Sequence, residues 1–334
     1  MTSGPRGETP AELVTVGRAA ALTGLSPKAV RLYERKGLLP EAERTESGYR
    51  LFTADDLAVL HFIRQAKTLD LTLDEIKDVL DLQRCGEQPC GRVIGILDAH
   101  IAEIDRKLAD LRRLRRSLLA ARRAAGAAIA ATDAVLAGEL ENAFCSVRPP
   151  GHHACREQAM GFCFFNNIAI AARHAIEVHG IERVAIVDFD VHHGNGTENI
   201  LSNDPRVLMV GFFQHPFYPY SGTDHPAPNM LNMPIPAYTK GMDVREMIEA
   251  VWMPRLEEFK PQMVFISAGF DAHREDDLGQ LGLNENDFAW ITGRVHDVAR
   301  RHAKGRIVSM LEGGYNPDAL ARSVEAHIRV LADL

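Results

Sequence analysis

Cysteine is scarce in this sequence of 334 residues, and long apolar runs are missing from it. Five cysteines, an odd number, do not form the disulfide framework that staples small secreted domains, so we interpret them as free thiols or metal ligands. The sequence contains neither a signal peptide nor an apolar run long enough to span a membrane. We therefore expect a soluble, cytoplasmic protein with no membrane partner.

A strong excess of one charge sign is also lacking from the N-terminal part of the chain. Residues 1–125 contain 21 Lys and Arg against 18 Asp and Glu, a net charge of +3, whereas the remaining residues contain 17 against 27, a net charge of −10. The basic part suggests an anionic partner, and the acidic part argues against the whole chain coating a polyanion. A length of 334 residues further indicates two domains.

The most informative stretch is residues 184–197, where a short apolar run leads into two carboxylates, two imidazoles and two glycines. Such a run predicts a buried, parallel strand that ends at the edge of a sheet. Because side chains alternate along a strand, Asp188, Asp190 and His192 should lie on one side and could share a metal ion. Ligands of open α/β sheets bind at this edge. A strand end with ordinary solvated charges is the alternative.

Two later apolar segments predict strands that end at the same edge. Residues 261–271 end in Asp271, which is a candidate third metal ligand. Residues 306–311 lead into a glycine turn that could bring the phenol hydroxyl of Tyr315 over the site.

Tandem histidines follow a rigid Pro-Pro-Gly turn at residues 149–151. His152 and His153 have no obvious apolar neighbours in sequence, which suggests proton transfer, with a purely structural pair as the alternative. Two carboxylates and one imidazole can hold zinc and neutralise its charge, and zinc lowers the pKa of a water toward about 7. With the two histidines as base and acid and Tyr315 as a donor to an oxyanion, the set suits hydrolysis of an amide.

The N-terminal part of the chain predicts a helix, a turn and a second helix. Apolar spacing indicates a helix over residues 16–22, Gly24 breaks it, and a Ser-Pro pair begins a helix over 26–36. Basic and aromatic residues at 44–50 suit a wing against phosphates, and a helix-turn-helix with a wing is a DNA-groove reader. The candidate DNA-binding residues are Lys28, Arg31, Tyr33, Arg35, Arg44, Tyr49 and Arg50. A generic small helical domain is the alternative.

A long helix is predicted over residues 93–123, with apolar residues close to heptad spacing. The alanine-rich residues 124–138 that follow are also predicted to be helical. We interpret residues 91–125 as a dimerisation helix. A homodimer would place two recognition helices one DNA turn apart, which implies a palindromic operator in double-stranded DNA.

Three segments of this part resemble the mercury-resistance-regulator (MerR) family of bacterial activators. They are Ala-Val-Arg-Leu-Tyr-Glu-Arg-Lys-Gly-Leu-Leu-Pro at 29–40, Arg-Thr-Glu-Ser-Gly-Tyr-Arg at 44–50 and Leu-Ala-Val-Leu-His-Phe-Ile-Arg at 57–64. The resemblance covers about residues 13–124. It implies an all-α winged helix-turn-helix, a dimerisation helix that pairs antiparallel, and a bacterial, nucleoid-associated location.

The same resemblance draws attention to two cysteines. Cys90 stands where metal sensors of this family carry a thiolate at the start of the dimerisation helix, and Cys85 lies nearby in sequence. The family's metal loop with further cysteines is missing from this sequence. A thiol sensor is therefore one interpretation, and a half-buried thiol near the helix start is the other.

Five motifs in the rest of the chain resemble the zinc-dependent histone deacetylase superfamily, in the order the family has them. They are Arg-Pro-Pro-Gly-His-His-Ala, Gly-Phe-Cys-Phe-Phe-Asn-Asn, Asp-Phe-Asp-Val-His-His-Gly-Asn-Gly, Ser-Ala-Gly-Phe-Asp-Ala-His and Glu-Gly-Gly-Tyr. The resemblance implies an arginase-like α/β fold with an open, mostly parallel sheet over residues 126–334. It also implies one zinc ion on Asp190, His192 and Asp271, with Tyr315 polarising the acetyl carbonyl.

The resemblance implies supporting roles as well. His152 and His153 would form the proton-transfer pair, with Asp188 supporting the first and Asn195 the second. An asparagine at that last position is typical of the class II branch. Asp188 would also support a structural potassium ion, and Gly211 replaces a serine that the family commonly offers to this ion, which would weaken its binding.

A substrate channel is implied by two aromatic positions. Phe162 and Tyr218 match the residues that flank the stem of an acyl-lysine, and a narrow apolar slot suits a long methylene chain. Leu278 stands where polyamine deacetylases of the family place a gatekeeping glutamate. The loss of that charge favours acetyl-lysine, or another acyl amine with a neutral stem, over a cationic polyamine.

The domain organisation departs from that of a complete deacetylase. We assign residues 1–12 to a disordered lead, 13–90 to the DNA-binding domain, 91–125 to the dimerisation helix and 126–334 to a truncated deacetylase-like domain. The family's leading segment, with two strands and a substrate-gripping aspartate, is replaced by the DNA-binding module. We therefore expect an exposed sheet edge and an apolar patch, which the dimerisation helices could cover.

Three hypotheses follow for the whole chain. The first is a DNA-binding regulator carrying an active zinc deacetylase that acts on an acetylated protein or a small acyl amine. The second keeps the regulator and makes the deacetylase-like half an inactive ligand-sensing or structural domain. The third is an accidental fusion that does not fold well as one chain. We favour the first because every residue of the implied catalytic set is present.

Overall fold

The computed structural model describes residues 13–41, 44–46, 48–86 and 88–334. The disordered lead predicted at residues 1–12 lies outside these ranges. The chain divides within one long helix into two compact units, one that ends at Leu111 and one that runs from Arg112 to Leu334.

Helices dominate the described residues of the first unit. Its elements before the long helix are β1 (Val14–Thr15), α1 (Val16–Thr23), α2 (Pro27–Arg35), β2 (Leu51–Phe52), α3 (Ala54–Thr68) and α4 (Leu73–Arg84), with β1 and β2 antiparallel. The predicted helix, turn and helix are present. Gly24 ends α1 with a φ of 67°, and the Ser26 hydroxyl caps α2 by accepting the Ala29 N–H at 3.1 Å. The winged helix-turn-helix assignment goes beyond these elements and remains a prediction.

Helix α4 begins with a reciprocal cap whose removal should lower stability. The Thr72 hydroxyl accepts the Glu75 N–H at 3.2 Å, and Glu75 accepts the Thr72 N–H at 2.8 Å. We expect Thr72→Ala to lower the free energy of unfolding of the first unit by about 1 kcal/mol. Urea unfolding followed by circular dichroism at pH 7 measures this loss, and Thr68→Ala, at the exposed end of α3, should leave stability almost unchanged.

The same cap makes stability depend on pH. Hydrogen bonds from the Thr72 backbone and from His100 lower the pKa of Glu75 from 4.5 to about 2. Because the folded pKa is the lower one, the stabilisation is complete above pH 4.5 and is lost as the pH falls toward 2. The Thr72 hydroxyl also donates to the Glu75 carboxylate at 2.8 Å. Near pH 2 the effect of Thr72→Ala should therefore be smaller, because protonation of Glu75 weakens this bond in the wild type.

The long helix α5 (Cys90–Ala137) is 48 residues long, and it joins the helix predicted over 93–123 and the helical segment predicted over 124–138 into one continuous helix. The alanine-rich residues after 123 favour helix, so the helix continues until Gly138, whose φ is 78°. Exposed apolar side chains follow its first part, namely Ile94, Ile101, Ile104, Leu108, Leu111, Leu114 and Leu118. Among the described residues, no helix has both the length and the apolar character needed to cross a bilayer, α5 included.

The second unit contains a six-stranded parallel sheet, in agreement with the open, mostly parallel sheet that the deacetylase resemblance implies. Its strands are β3 (Asn142–Cys145), β4 (Val184–Asp188), β5 (Val207–Gln214), β6 (Met230–Ile235), β7 (Met263–Ala268) and β8 (Ile307–Leu311), in the order β3-β8-β7-β4-β5-β6. Its helices after α5 are α6 (Asn167–Glu177), α7 (Asn195–Leu201), α8 (Gly241–Phe259), α9 (Glu285–His302) and α10 (Pro317–Leu331).

Apolar side chains cover both faces of this sheet, which explains why its strands are continuously apolar. On β4, Ala185 and Val187 join a buried cluster with Trp252 of α8 and Phe288 of α9. Ile186, between them, joins a second cluster on the opposite face, with residues of α6 and of the last part of α5.

Strand β3 forms one edge of the sheet and pairs only with β8 among the described strands. The predicted apolar patch is in part covered there. Ala143 and Cys145 of β3 pack against the cluster that contains Ala128 and Val135 of α5. The covering residues thus lie beyond the predicted dimerisation helix, because α5 continues past residue 125.

Candidate functional site

Three neighbouring strands bring the chemically active residues to one edge of the sheet. The register pairs Asp188 of β4 with Ser267 of β7, and Ala268 of β7 with Leu311 of β8. Because these strands are parallel, the residues that follow them meet at their shared carboxyl edge. Those residues include Asp190, His192, Asp271 and the turn at residues 312–315.

Asp190, His192 and Asp271 form a compact group that could hold a metal ion. His192 Nδ1 lies 2.9 Å from Asp190 Oδ1 and 3.1 Å from Asp271 Oδ2. Both carboxylates are fully buried. Burial and the negative charge of Asp190 raise the pKa of Asp271 to about 6. Burial opposes ionisation of Asp190 too, but positive His152 and the bond from His192 hold its pKa below the usual range.

The surroundings of this group fit a cation. Two buried carboxylates at such short range need a compensating positive charge, and an oxygen and nitrogen donor set of this kind suits zinc. Backbone N–H groups orient both acids: Gly313 donates to Asp190 Oδ2 at 2.7 Å, and Val191 donates to Asp271 Oδ1 at 2.9 Å. A side chain at residue 313 would fill the space between the acids, since its Cβ would lie 1.9 Å from Asp271 Oδ2.

We expect Gly313→Ala to weaken divalent-cation binding at this group by at least about tenfold. The added methyl group would displace the Asp271 carboxylate, and a Cβ at 313 would also lie 2.5 Å from Asp190 Oδ2. Equilibrium dialysis against zinc measures the change. Gly293→Ala is the matched control, because the nearest atom to its Cβ is a Val330 methyl carbon 3.9 Å away. Equal zinc affinity in the two variants would contradict the binding of a metal ion between Asp190 and Asp271.

The two tandem histidines lie beside this group, with ring centroids 4.1 Å apart. His152 Nδ1 lies 3.0 Å from Asp188 Oδ2, and His153 Nδ1 lies 2.7 Å from Asn195 Oδ1. Burial lowers the pKa of His152, but Asp190 and Asp188 raise it well above its ordinary value. Burial and the positive charge of His152 lower the pKa of His153 to about 3.

Tyr315 is held at the edge of the site through its backbone. Asp276 Oδ2 accepts the Tyr315 N–H at 2.6 Å and the Asn316 N–H at 3.0 Å. The guanidinium of Arg148 lies 5.7 Å from the centre of the Tyr315 ring. Burial raises the pKa of Tyr315 above its ordinary value of 10, so its hydroxyl remains a hydrogen-bond donor.

Glu312 supports the backbone of the site and was not among the residues predicted from the sequence. Its carboxylate accepts the N–H groups of Gly151 at 2.7 Å and His152 at 3.1 Å, which fixes the backbone beneath the tandem histidines. Burial raises its pKa to about 7. Arg148 donates to the Glu312 carbonyl oxygen at 2.7 Å. A carboxylate directly after a buried strand was the available signal, as it was for Asp190.

Two of the three predicted channel residues have rings close to those of site residues, and the third shares a hydrogen-bond partner with Tyr315. The Tyr218 ring lies 5.2 Å from His153 and 6.0 Å from His192. Phe162 is 71% exposed and its ring lies 6.2 Å from that of Tyr315. Leu278 is exposed too, and its N–H donates to Asp276 at 2.9 Å, the same carboxylate that holds Tyr315.

In the first unit, most of the predicted DNA-binding residues are on the surface. Lys28, Arg31, Arg35, Arg44 and Tyr49 are exposed, and Arg50 pairs with Glu34. The four arginines and Tyr49 line one surface depression. Tyr33 is the exception: it is 8% exposed and packs in the core of this unit, so its ring is not available to DNA.

Both predicted sensor thiols are exposed. Cys85 follows α4 and Cys90 begins α5. Within the part of the chain that the structure describes, neither belongs to a group of three or more residues that could hold a metal. The sensor interpretation stays a prediction.

Comparison with known proteins agrees with this geometry. A family model described as the histone deacetylase domain matches residues 42–331, and one described as the MerR family regulatory protein matches the short segment 15–52. The deacetylase match thus begins well before the predicted residue 126. It overlaps the MerR match at residues 42–52.

Several named proteins are similar to part of this chain. A histone deacetylase-like amidohydrolase of Pseudomonas aeruginosa is 45% identical over 209 residues, which cover 59% of this chain and 53% of that protein. Polyamine deacetylase HDAC10 of Mus musculus is 40% identical over 223 residues, which cover 63% of this chain and 33% of that protein. Type-2 histone deacetylase 2 of Dictyostelium discoideum is 40% identical over 240 residues, which cover 65% of this chain and 14% of that protein. The chain thus spans about half the length, or less, of these relatives.

A crystal structure of the HDA15 HD domain has the same architecture. It aligns with a TM-score of 0.59 at 37% sequence identity and covers 64% of this chain and 62% of that one. At this identity the likeness extends beyond the fold alone. Together with a family model that matches most of the sequence, it shows that the chain belongs to the histone deacetylase family.

Proposed function

We propose that the second unit is a zinc-dependent deacetylase that hydrolyses acetyl-lysine or a related acyl amide. The observation that carries this proposal is the buried group of Asp190, His192 and Asp271 beside the paired rings of His152 and His153. An ordinary solvated strand end would not bury two carboxylates together.

Zinc would be held by Asp190, His192 and Asp271, and when bound it supplies Lewis-acid catalysis. We assign proton transfer to the two histidines. Asn195 Oδ1 can only accept, so His153 donates through Nδ1 and keeps its Nε2 lone pair free to take a proton from water. His152 likewise donates through Nδ1 to Asp188, and we assign Asp188 to the family's potassium site as well.

We place the entrance of the substrate channel at Phe162, Tyr218 and Leu278, and these residues favour a substrate with a neutral stem. Phe162 and Tyr218 offer aromatic faces to a methylene chain, and the Leu278 side chain itself carries no charge that could pair with a cationic amine. The Tyr315 hydroxyl is the donor that we assign to the substrate carbonyl oxygen. An acetylated protein therefore suits this entrance better than an acetylated polyamine does.

Acetate release by the full chain tests this function. We expect turnover of an acetyl-lysine peptide that a chelator abolishes and added zinc restores, and slower turnover of acetylspermidine. Leu278→Glu should shift this preference toward acetylspermidine. If folded, zinc-loaded protein releases no acetate from either substrate, the deacetylase proposal fails. The alternative of an inactive ligand-sensing domain would then be favoured.

We further propose that the first unit binds double-stranded DNA as a winged helix-turn-helix, in a homodimer that pairs through the exposed apolar stripe of α5. The short MerR match and the depression lined by Arg31, Arg35, Arg44 and Arg50 support this proposal. With four arginines per protomer, affinity for duplex DNA should fall by about 10³- to 10⁵-fold between 50 and 200 mM salt.

Fluorescence anisotropy with a random-sequence duplex measures the salt dependence. The double variant Arg31→Ala/Arg35→Ala should bind more weakly with a shallower salt slope. Arg255→Ala, which removes an exposed arginine from α8 of the second unit, is the control. Equal affinities in all three proteins would exclude the proposed DNA surface.

A further inference from the structure

A second group of potential metal ligands lies away from the deacetylase site. It consists of Asp133 on α5, His174 in the last turn of α6 and His179 just after that helix. Strand β4 begins five residues after His179, at Val184, so this group lies near the amino edge of the sheet. The Asp190 group lies at the carboxyl edge.

The end of α6 brings the two histidines together. Residues five positions apart point in different directions along a continuous helix. Here α6 ends at Glu177, and Gly180 takes a φ of 69°, which lets the Ile181 N–H donate back to the Ala175 carbonyl at 3.1 Å. The chain reversal places the His179 ring 5.2 Å from the His174 ring.

Both imidazoles converge on a single oxygen of α5. His174 Nε2 and His179 Nε2 each lie 2.6 Å from Asp133 Oδ1. The potential ligand atoms of the three residues all lie within 4.8 Å of one another. Hydrogen bonds from the two histidines lower the pKa of Asp133, so the acid is present as a carboxylate.

Packing holds the two helices that supply these ligands. Ala128 and Val135 of α5 belong to the same buried cluster as Ala171 and Ala175 of α6. Asp133 lies between Ala128 and Val135 on α5, and its neighbour Thr132 is fully buried. The ligands therefore project from elements that are fixed relative to each other within this unit.

We propose that Asp133, His174 and His179 form a second binding site for a divalent transition-metal ion, of which zinc is the chemical type. Two imidazole nitrogens and one carboxylate oxygen suit borderline ions such as zinc, cobalt and nickel and disfavour calcium and magnesium. The side chains are 19% (His174), 31% (His179) and 50% (Asp133) exposed, which leaves space for water as a further ligand. Bound metal would clamp the end of α5 to α6.

The site is independent of the proposed deacetylase function and is tested by counting bound metal. Untagged full-length chain, stripped and dialysed against zinc, should bind two equivalents. His174→Gln/His179→Gln should bind one, because a glutamine amide can still donate to Asp133 but does not replace an imidazole ligand. The Asp190→Asn/Asp271→Asn variant should retain the second equivalent whether or not the protein is a deacetylase.

His302→Gln is the matched control. His302 Nε2 lies 2.7 Å from Glu257 Oε2, which is a surface histidine–carboxylate pair without a second histidine. This variant should bind as much zinc as the wild type. For His174→Gln/His179→Gln we expect the zinc affinity of the second site to fall by more than about 100-fold, beyond the effect of losing an outer-shell partner. Unchanged stoichiometry and affinity in that variant would overturn the site and leave an ion pair between Asp133 and two histidines.

Discussion

Replacing His192 by glutamine should abolish acetyl-lysine hydrolysis and strip zinc from the site at the carboxyl edge of the sheet. His192 Nδ1 lies within 3.1 Å of a carboxylate oxygen from each of the two buried acids. Even loss of an outer-shell partner costs about 10- to 100-fold in metal affinity, and loss of a ligand itself should cost more. Acetate release should then fall to the level of a protein-free control.

The same substitution should destabilise the metal-free protein. Asp190 and Asp271 would remain as two fully buried acids without the imidazole that lies between them. Removing one partner of a buried ionic group costs about 3–5 kcal/mol, because the remaining charge is left uncompensated. Differential scanning calorimetry in the presence of a chelator should show a lower melting temperature than that of the wild type.

His193→Gln is the informative comparison, because it alters the next residue in the sequence. His193 points elsewhere: its Nε2 lies 2.7 Å from Glu198 and its Nδ1 lies 2.9 Å from the Ser221 hydroxyl. We expect this variant to keep its zinc at the carboxyl edge. If both variants lost equal amounts of zinc, the assignment of His192 as the ligand would be wrong.

The contrast between these two histidines shows what the sequence predicts well. Alternation along an extended segment is a local rule, and it predicts that Asp190 and His192 share a side. The position of Asp271 followed from a second rule, that parallel strands present their carboxyl ends at one edge. Both rules depend only on strand type, which the apolar runs indicate clearly.

Other features depend on packing that no local pattern reports. Tyr33 has the apolar body and polar tip of a surface residue, yet its ring fills the core of the first unit. The alanine-rich residues 124–137 were predicted to be helical, but their packing against α6 and the sheet was not. Asp133 contacts His174 across the interface between two helices, although the two residues are 41 positions apart in the sequence. Contacts of this kind are determined by the tertiary structure and not by a local sequence pattern.

Glu312 is an intermediate case. Its position after a buried strand resembles that of Asp190, which follows β4, so the sequence places a carboxylate at the correct edge. The pattern does not reveal its partners, the N–H groups of Gly151 and His152, which lie about 160 positions earlier in the chain. Its role in fixing the tandem histidines is visible only once the two segments are in contact.

The second large effect is expected at Tyr315. Replacing it by phenylalanine should lower kcat for acetyl-lysine hydrolysis by about 10²- to 10³-fold, which is the usual effect of removing one donor from an oxyanion hole. KM should change little, because the hydroxyl is assigned to the charge that develops during reaction. Stopped assays of acetate release over a range of peptide concentrations separate the two parameters.

The geometry indicates that Tyr315→Phe removes the hydroxyl without moving the ring. Asp276 holds Tyr315 through its backbone N–H at 2.6 Å, so phenylalanine should keep the position of the ring. Zinc content should equal that of the wild type, which separates loss of a donor from loss of the metal. Because burial raises the pKa of Tyr315 above 10, ionisation of this hydroxyl should not reduce the rate below that pH.

Tyr220→Phe provides the matched control, since it removes a hydroxyl from a tyrosine that is 75% exposed. Its kcat should match that of the wild type. A Tyr315→Phe variant that keeps kcat within about threefold of the wild type would contradict the role of this hydroxyl, because a factor of three corresponds to less than about 1 kcal/mol of transition-state stabilisation. Carbonyl polarisation would then have to come from the metal site alone. A large loss in Tyr315→Phe with full zinc content would support the Tyr315 hydroxyl as the donor to the substrate carbonyl oxygen.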